Sequence, residues 1–265
     1  MKKETEVLVS WRDWILTLPF VLSFLGVLIA FEFIQRFALL VGRRKHEQSV
    51  VALNRWLTKT LKILGTKITY QNHAKLIQGV PIIAVSNHQS LFDIPILHTI
   101  LASHYPRFIA KKELSRWIPS ISFNLRRGEN AVIDRSNPRQ AIEEIENLGQ
   151  LMVERNFATV IFPEGTRART GELKKFRVAG VATLLQMVPH AIVVPITIDE
   201  SWKLAAHKGL PVPRNVHLRV VVGGALDKGD SHSLKDLIAQ LEEIISNTLK
   251  AMRQNPMLGT ERELD

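Results

Sequence analysis

The sequence predicts an α/β fold: a mostly parallel or mixed sheet flanked by helices, behind an N-terminal membrane-embedded helical segment. Three observations predict it. From about residue 67 onward, short β-rich runs alternate with helical ones, the pattern of a sheet covered on both faces. The chain has 265 residues, 46% of them hydrophobic, which suffices for one large domain with a sizeable core. Residues 14–31 form eighteen consecutive positions without a charge or a histidine.

That N-terminal run reads WILTLPFVLSFLGVLIAF. As one helix it extends about 27 Å, close to the ~30 Å hydrocarbon core of a bilayer. It is longer than the apolar part of a cleavable signal peptide, and no small-x-small site follows. Pro19 leaves room for a bent or re-entrant path. Lys2, Lys3 and Arg12 precede the run, while Arg36, Arg43, Arg44 and Lys45 follow it. The excess leans toward a cytoplasmic C-terminal side. Residues 47–64 then place Val50, Leu53, Trp56, Leu57, Leu61 and Leu64 at helical spacing, with Arg55, Lys59 and Lys62 opposite. Such a helix lies in a membrane interface or packs on a core; the apolar neighbour favours the membrane.

Strands are expected at Ile82–Val85, Arg107–Ala110, Ala131–Asp134, Thr159–Phe162, Ile192–Ile198 and Val216–Val222. Helices are expected near 94–104, 137–155, 176–188 and 233–254. Asn137 before Pro138 marks one start. The implied organisation is an anchor over 1–66, an α/β domain over 67–254 and a frayed, charged tail over 255–265.

Composition narrows the chemistry. The chain has no cysteine, so disulfides, thiolate metal sites and cysteine nucleophiles are excluded. Its formal charge is +10, which calls for anionic partners. No HExxH, Walker A, Rossmann or G-x-S-x-G pattern is present, and no metal site is expected. Aromatics are 7% with two tyrosines, and no recognition motif argues for nucleic acid.

Three polar clusters follow apolar strand runs, where open α/β sheets place ligands. The first is Ser86-Asn87-His88-Gln89-Ser90-Leu91-Phe92-Asp93. A histidine titrates near neutrality and takes a proton from a hydroxyl; an aspartate on its other nitrogen fixes the tautomer. The spacing also suits a surface turn in which Asp93 caps the next helix. The second is Phe162-Pro163-Glu164-Gly165-Thr166-Arg167. Gly165 admits close approach, Thr166 offers a hydroxyl and Arg167 a fork matched to phosphate. Alternatively Glu164 and Arg167 pair with each other. The third ends a strand in Asp134-Arg135, by itself a structural ion pair more readily than a phosphate contact. A basic rim surrounds these loops, with Arg107, Lys111, Lys112, Arg126, Arg127, Lys174, Lys175 and Arg177.

Together the blocks resemble the glycerolipid acyltransferases, specifically the 1-acylglycerol-3-phosphate (lysophosphatidate) acyltransferases. Residues 87–93 match the family's NHx4D block and residues 162–167 its FPEGTR block. Val132-Ile133-Asp134-Arg135 and Val194-Pro195-Ile196-Thr197-Ile198 resemble two further blocks, all in order over residues 75–200. The resemblance implies His88 as general base oriented by Asp93. It implies acceptor-phosphate contacts from Arg135, Gly165, Thr166 and Arg167, with Glu164 orienting the loop. It further implies acyl-CoA or acyl-carrier protein as co-substrate, a lysophospholipid acceptor, membrane lipids as surroundings and no cofactor. The sequence departs from the pattern where Val132 replaces an aromatic and where Phe176-Arg177-Val178-Ala179-Gly180 replaces Phe-Lys-x-Gly. Those departures leave another lysophospholipid or a lyso-aminolipid as alternative acceptors. The rivals are a hydrolase using His88 and a non-catalytic basic membrane-binding protein.

Overall fold

The structure is a computed structural model that describes residue 7, residues 9–226 and residues 233–264. Lys2 and Lys3, the cations expected before the apolar run, lie outside the described residues. Among the described residues, eight strands form one mixed sheet: β1 (Lys67–Asn72), β2 (Ile82–Ser86), β3 (Arg107–Lys111), β4 (Ala131–Ile133), β5 (Ala158–Ile161), β6 (Ile192–Asp199), β7 (His217–Val222) and β8 (Arg262–Glu263). Their spatial order is β4-β3-β5-β2-β6-β7-β1-β8. The block β4-β3-β5-β2-β6 is parallel throughout, with Val85 opposite Ile161 on one side and Pro195 on the other. β7 runs antiparallel to β6. The helices are α1 (Trp11–Val41), α2 (Arg43–Thr60), α3 (Asp93–Ile100), α4 (Ile121–Arg127), α5 (Pro138–Arg155), α6 (Val178–Met187) and α7 (Leu234–Gln254).

The sequence makes these elements for identifiable reasons. In β2, Ile82 and Ala84 enter one core while Ile83 and Val85 enter the other. Both faces are covered, so the strand reads as an unbroken apolar run. Helices α5, α6 and α7 cover one face through Leu148, Leu184 and Leu241. α3 and part of α1 cover the other, through Ile96, Leu97 and Phe20. Asn137 caps α5, its side chain accepting from Gln140 N at 3.2 Å, with Pro138 as first helical residue.

α1 is the one described helix long and apolar enough to cross a membrane, with a mean hydropathy of 2.3 over 18 residues. Its buried positions, Asp13, Thr17, Phe20, Leu28, Phe31 and Gln35, form a stripe along almost its whole length. Leu28 and Phe31 meet Leu53 and Leu57 of α2. The two helices pack antiparallel across Gly42, whose φ of 148° lies outside the range of side-chain-bearing residues. Ion pairs fix α2 to the sheet: Glu47 meets Arg107 of β3 at 2.5 Å, and Arg43 meets Glu129.

Two expectations need correction. The apolar side of residues 47–64 is spent on protein, since Val50, Leu53, Leu57, Leu61 and Leu64 are buried and only Trp56 is exposed. Periodicity identified the face but not what covers it. The tail over 255–265 does not fray over its described residues. Arg219 donates to the carbonyls of Met252 and Asn255, and β8 pairs antiparallel with β1. Both contacts join residues far apart in sequence.

His98 of α3 is buried and stacks on Phe108, with ring centroids 5.8 Å apart. Burial, aided by the charge of Arg107, pushes its pKa down to about 3. The folded state keeps it neutral while the unfolded chain protonates near the ordinary value. Its contribution to stability is therefore intact above about pH 6.5 and declines as pH falls toward 3. Between pH 7 and 5 the decline is on the order of 1–2 kcal/mol. Thermal melts should show a shallower acid loss for His98→Leu than for the unaltered chain; equal slopes would contradict this.

Candidate active site

Because β2 to β6 are parallel, their carboxyl ends meet along one sheet edge. Residues 87–93 leave β2, residues 162–167 leave β5, Asp134 and Arg135 leave β4, and Ser201 follows β6.

Asp93, the first residue of α3, is fully buried. Its Oδ2 accepts from His88 Nδ1 at 2.8 Å, Gln89 N at 2.6 Å and Ser90 N at 2.9 Å. Its Oδ1 accepts from the hydroxyls of Ser90 and Ser201. The surface-turn reading, with Asp93 capping α3, does not hold: the carboxylate is buried, accepts from the amides of the turn before the helix and holds the imidazole of His88. An ionised carboxylate only accepts, so in the neutral imidazole this contact places the hydrogen on Nδ1 and the lone pair on Nε2. The His88 ring stacks on Phe162 at 4.1 Å between centroids. Asn87 locks the loop to β6, exchanging two 2.8 Å hydrogen bonds with the backbone of Ile198.

Glu164 is buried and, among the described residues, pairs with no arginine. It accepts from His88 N at 2.7 Å and Lys174 N at 2.9 Å. Burial pushes its pKa up, opposed by those two amides. Ala168 N donates to His88 O at 2.7 Å, so the 162–168 loop is fastened to the histidine's backbone on both sides. Gly165 has φ 69°, and a Cβ there would lie 3.2 Å from the Arg177 guanidinium. Lys174 Nζ donates to Thr166 Oγ1 at 3.0 Å and Arg167 O at 2.8 Å.

Asp134 pairs with Lys112 at 2.5 Å, which holds its carboxyl well below the usual range. The expected Asp134–Arg135 pair does not form. Arg135 instead shares its surroundings with Arg177 and Arg167. Burial and these like charges lower its pKa. Arg135, Arg167 and Arg177 take part in no salt bridge among the described residues. These three guanidiniums form a cationic cluster whose mutual repulsion, only partly offset at Arg135 by the carboxylate of Glu113, an anion would relieve.

The structure therefore gathers His88, Asp93, Glu164, Gly165, Thr166, Arg167 and Arg135 at one edge. Sequence reasoning missed Ser201, which no motif marks, and left Arg177 in the basic rim. Its departure from the lysine of the family block was the available signal. Among the described residues no group of three His, Cys, Asp or Glu is placed to hold a metal ion.

Glu164→Ala would leave two amides without an acceptor. It should lower stability by about 2 kcal/mol in chemical denaturation. Glu164→Gln, which keeps one acceptor oxygen, should cost less; equal losses would argue against the two-amide role.

The family model described as Acyltransferase matches residues 67–199. A 1-acyl-sn-glycerol-3-phosphate acyltransferase of Cocos nucifera is 32% identical over 58% of this chain and 49% of its own length. The enzyme of that name from Limnanthes douglasii is 29% identical over 68% of this chain and 63% of its own. The matches thus span about half to somewhat under two thirds of those relatives. The crystal structure of the 1-acyl-sn-glycerophosphate (LPA) acyltransferase PlsC from Thermotoga maritima shares the fold. Its TM-score is 0.76 at 22% identity, over 92% of this chain and 97% of that one. With its α/β domain matched from the first strand to the end of the sixth, the chain belongs to the acyltransferase family.

Proposed function

We propose that the protein is a 1-acylglycerol-3-phosphate O-acyltransferase that makes phosphatidic acid from an acyl thioester. The observation that carries this reading is the His88–Asp93 pair at 2.8 Å on the same sheet edge as Arg135, Arg167 and Arg177, none of which takes part in a salt bridge among the described residues. One half activates a hydroxyl and the other holds a phosphate on the same small molecule.

His88 Nε2 takes the proton of the free glycerol hydroxyl as its oxygen attacks the thioester carbonyl. The tetrahedral intermediate then expels the thiolate of acyl-CoA or acyl-carrier protein, and the imidazolium returns the proton to that sulfur. Asp93 balances the imidazolium charge while it lasts. Proton removal by a positioned histidine contributes about 10²–10⁴-fold. Arg135, Arg167 and Arg177, with Thr166, hold the acceptor phosphate, and this positioning supplies much of the remaining rate. No resident cofactor takes part in this scheme.

The acceptor and the acyl chain are membrane lipids, and α1 supplies the link to them. Its inner stripe is bound to protein. Its outer side exposes Trp14, Leu18, Leu22, Leu25, Ile29 and Phe33. A helix held to the domain from Asp13 to Gln35 enters lipid sideways, by that outer side. The charge of +10 suits the anionic cytoplasmic leaflet, with the catalytic domain on that side.

With purified protein, a long-chain acyl thioester and lysophosphatidate, His88→Ala should lose at least about 10²-fold in kcat. Full transfer by that variant would overturn the mechanism. Arg167→Ala should raise the acceptor KM with a smaller effect on kcat; an unchanged KM would contradict its phosphate role.

A further inference from the structure

The segment between β3 and α4 has no part in the scheme above. It runs Lys112-Glu113-Leu114-Ser115-Arg116-Trp117-Ile118-Pro119-Ser120. Trp117 is 95% exposed, the most exposed of the large apolar side chains among the described residues. Its backbone sits at φ 68°, and Ser120 at φ 62°. A bulky residue in the left-handed region is a strained outlier. Here the strain secures no burial, since the indole points into solvent. Leu114 of the same segment is also exposed.

The segment is fastened to α1. Ser120 Oγ donates to Leu28 O at 2.5 Å, and Ser120 N donates to Glu32 Oε2 at 2.5 Å. Ile118 and Ile121 pack on the cluster formed by Leu28, Phe31, Leu53 and Leu57. Trp117 therefore lies next to the part of α1 that carries the exposed Leu25, Ile29 and Phe33. Cations border it: Arg116 precedes it, and Arg126 of α4 donates to Ser115 O. At its other end, Lys112 pairs with Asp134, the neighbour of Arg135. The segment thus bridges the guanidinium cluster and the lipid-facing side of α1.

We propose that residues 114–117 are a second membrane contact, with Trp117 seated at the headgroup level of an anionic bilayer and Arg116 and Arg126 on its phosphates. Three features select a bilayer as the occupant: continuity with the outer side of α1, the bordering cations, and the preference of tryptophan for the membrane–water interface. The proposal rests on the reading of α1 as the membrane helix. It assigns the segment the task of setting the height of the acceptor site above the lipid. Arg135 then sits within reach of a lysolipid phosphate that need not leave the leaflet.

The absence of cysteine makes single-cysteine labelling clean. Trp117→Cys, Leu22→Cys on the outer side of α1 and Glu243→Cys on α7, on the opposite side of the sheet, each receive an environment-sensitive fluorophore. Vesicles containing anionic lipid and nitroxide-bearing lipids are then added to the full chain. Blue-shifted, quenched emission at 117 and 22, with none at 243, is the expected result. A response at 22 without one at 117 overturns this proposal and leaves α1 as the membrane helix. Silence at all three sites overturns both. A shift at 117 with an acidic acyl-carrier protein, and none with vesicles, overturns it in favour of donor docking.

Discussion

The buried carboxylate of Asp93 is the constraint on which the site depends. An isolated charge removed from water costs many kcal/mol. Asp93 offsets that cost by accepting from five groups: His88, Gln89 N, Ser90 N, Ser90 Oγ and Ser201 Oγ. Loop backbone, Ser201 two positions beyond β6 and the imidazole are all set by the same two oxygens. The loop cannot relax without stranding the charge, so the orientation of His88 is inherited from the folding of the turn. A surface His–Asp pair would lack this coupling, because water would substitute for any partner that left.

Sheet topology delivers the remaining groups. Only a parallel arrangement of β2 to β6 brings the ends of four strands to one edge. Glu164 then joins two of those ends. It binds the amide of His88 and the amide of Lys174, so the base loop and the cationic loop move as one body. The arginines themselves stand at exposed positions and take part in no salt bridge among the described residues. Rigid chemistry beside adaptable charge suits a substrate whose hydroxyl must be placed closely but whose phosphate has several equivalent oxygens.

Much of this was legible in the sequence where a local pattern carries the physics. Ile82–Val85 announces a strand covered on both faces. Asn137-Pro138 announces a helix start, and the 3.6-residue repeat from Leu234 to Leu249 announces α7. The His88 and Glu164 blocks were legible because their spacing is ordered along the chain. What stayed hidden depends on distant partners. β1, KITYQN, is mostly polar and becomes a strand by pairing with β7, some 150 residues later. The tail is fixed by Arg219, and Ser201 acquires meaning only when β6 delivers it to Asp93. Arg177 is one cation in the stretch 174–177, and only the fold shows that it lies against Gly165.

The account stands most directly on which ring nitrogen of His88 carries the proton. Nitrogen-15 NMR of the histidine-labelled protein near pH 8, with the His88 signal assigned from its loss in His88→Gln, reads this without substrate. The account predicts the Nδ1–H tautomer, converting largely to Nε2–H in Asp93→Asn. A resting Nε2–H tautomer in the unaltered chain would contradict it, because the nitrogen facing the acceptor hydroxyl would then have no lone pair to receive a proton.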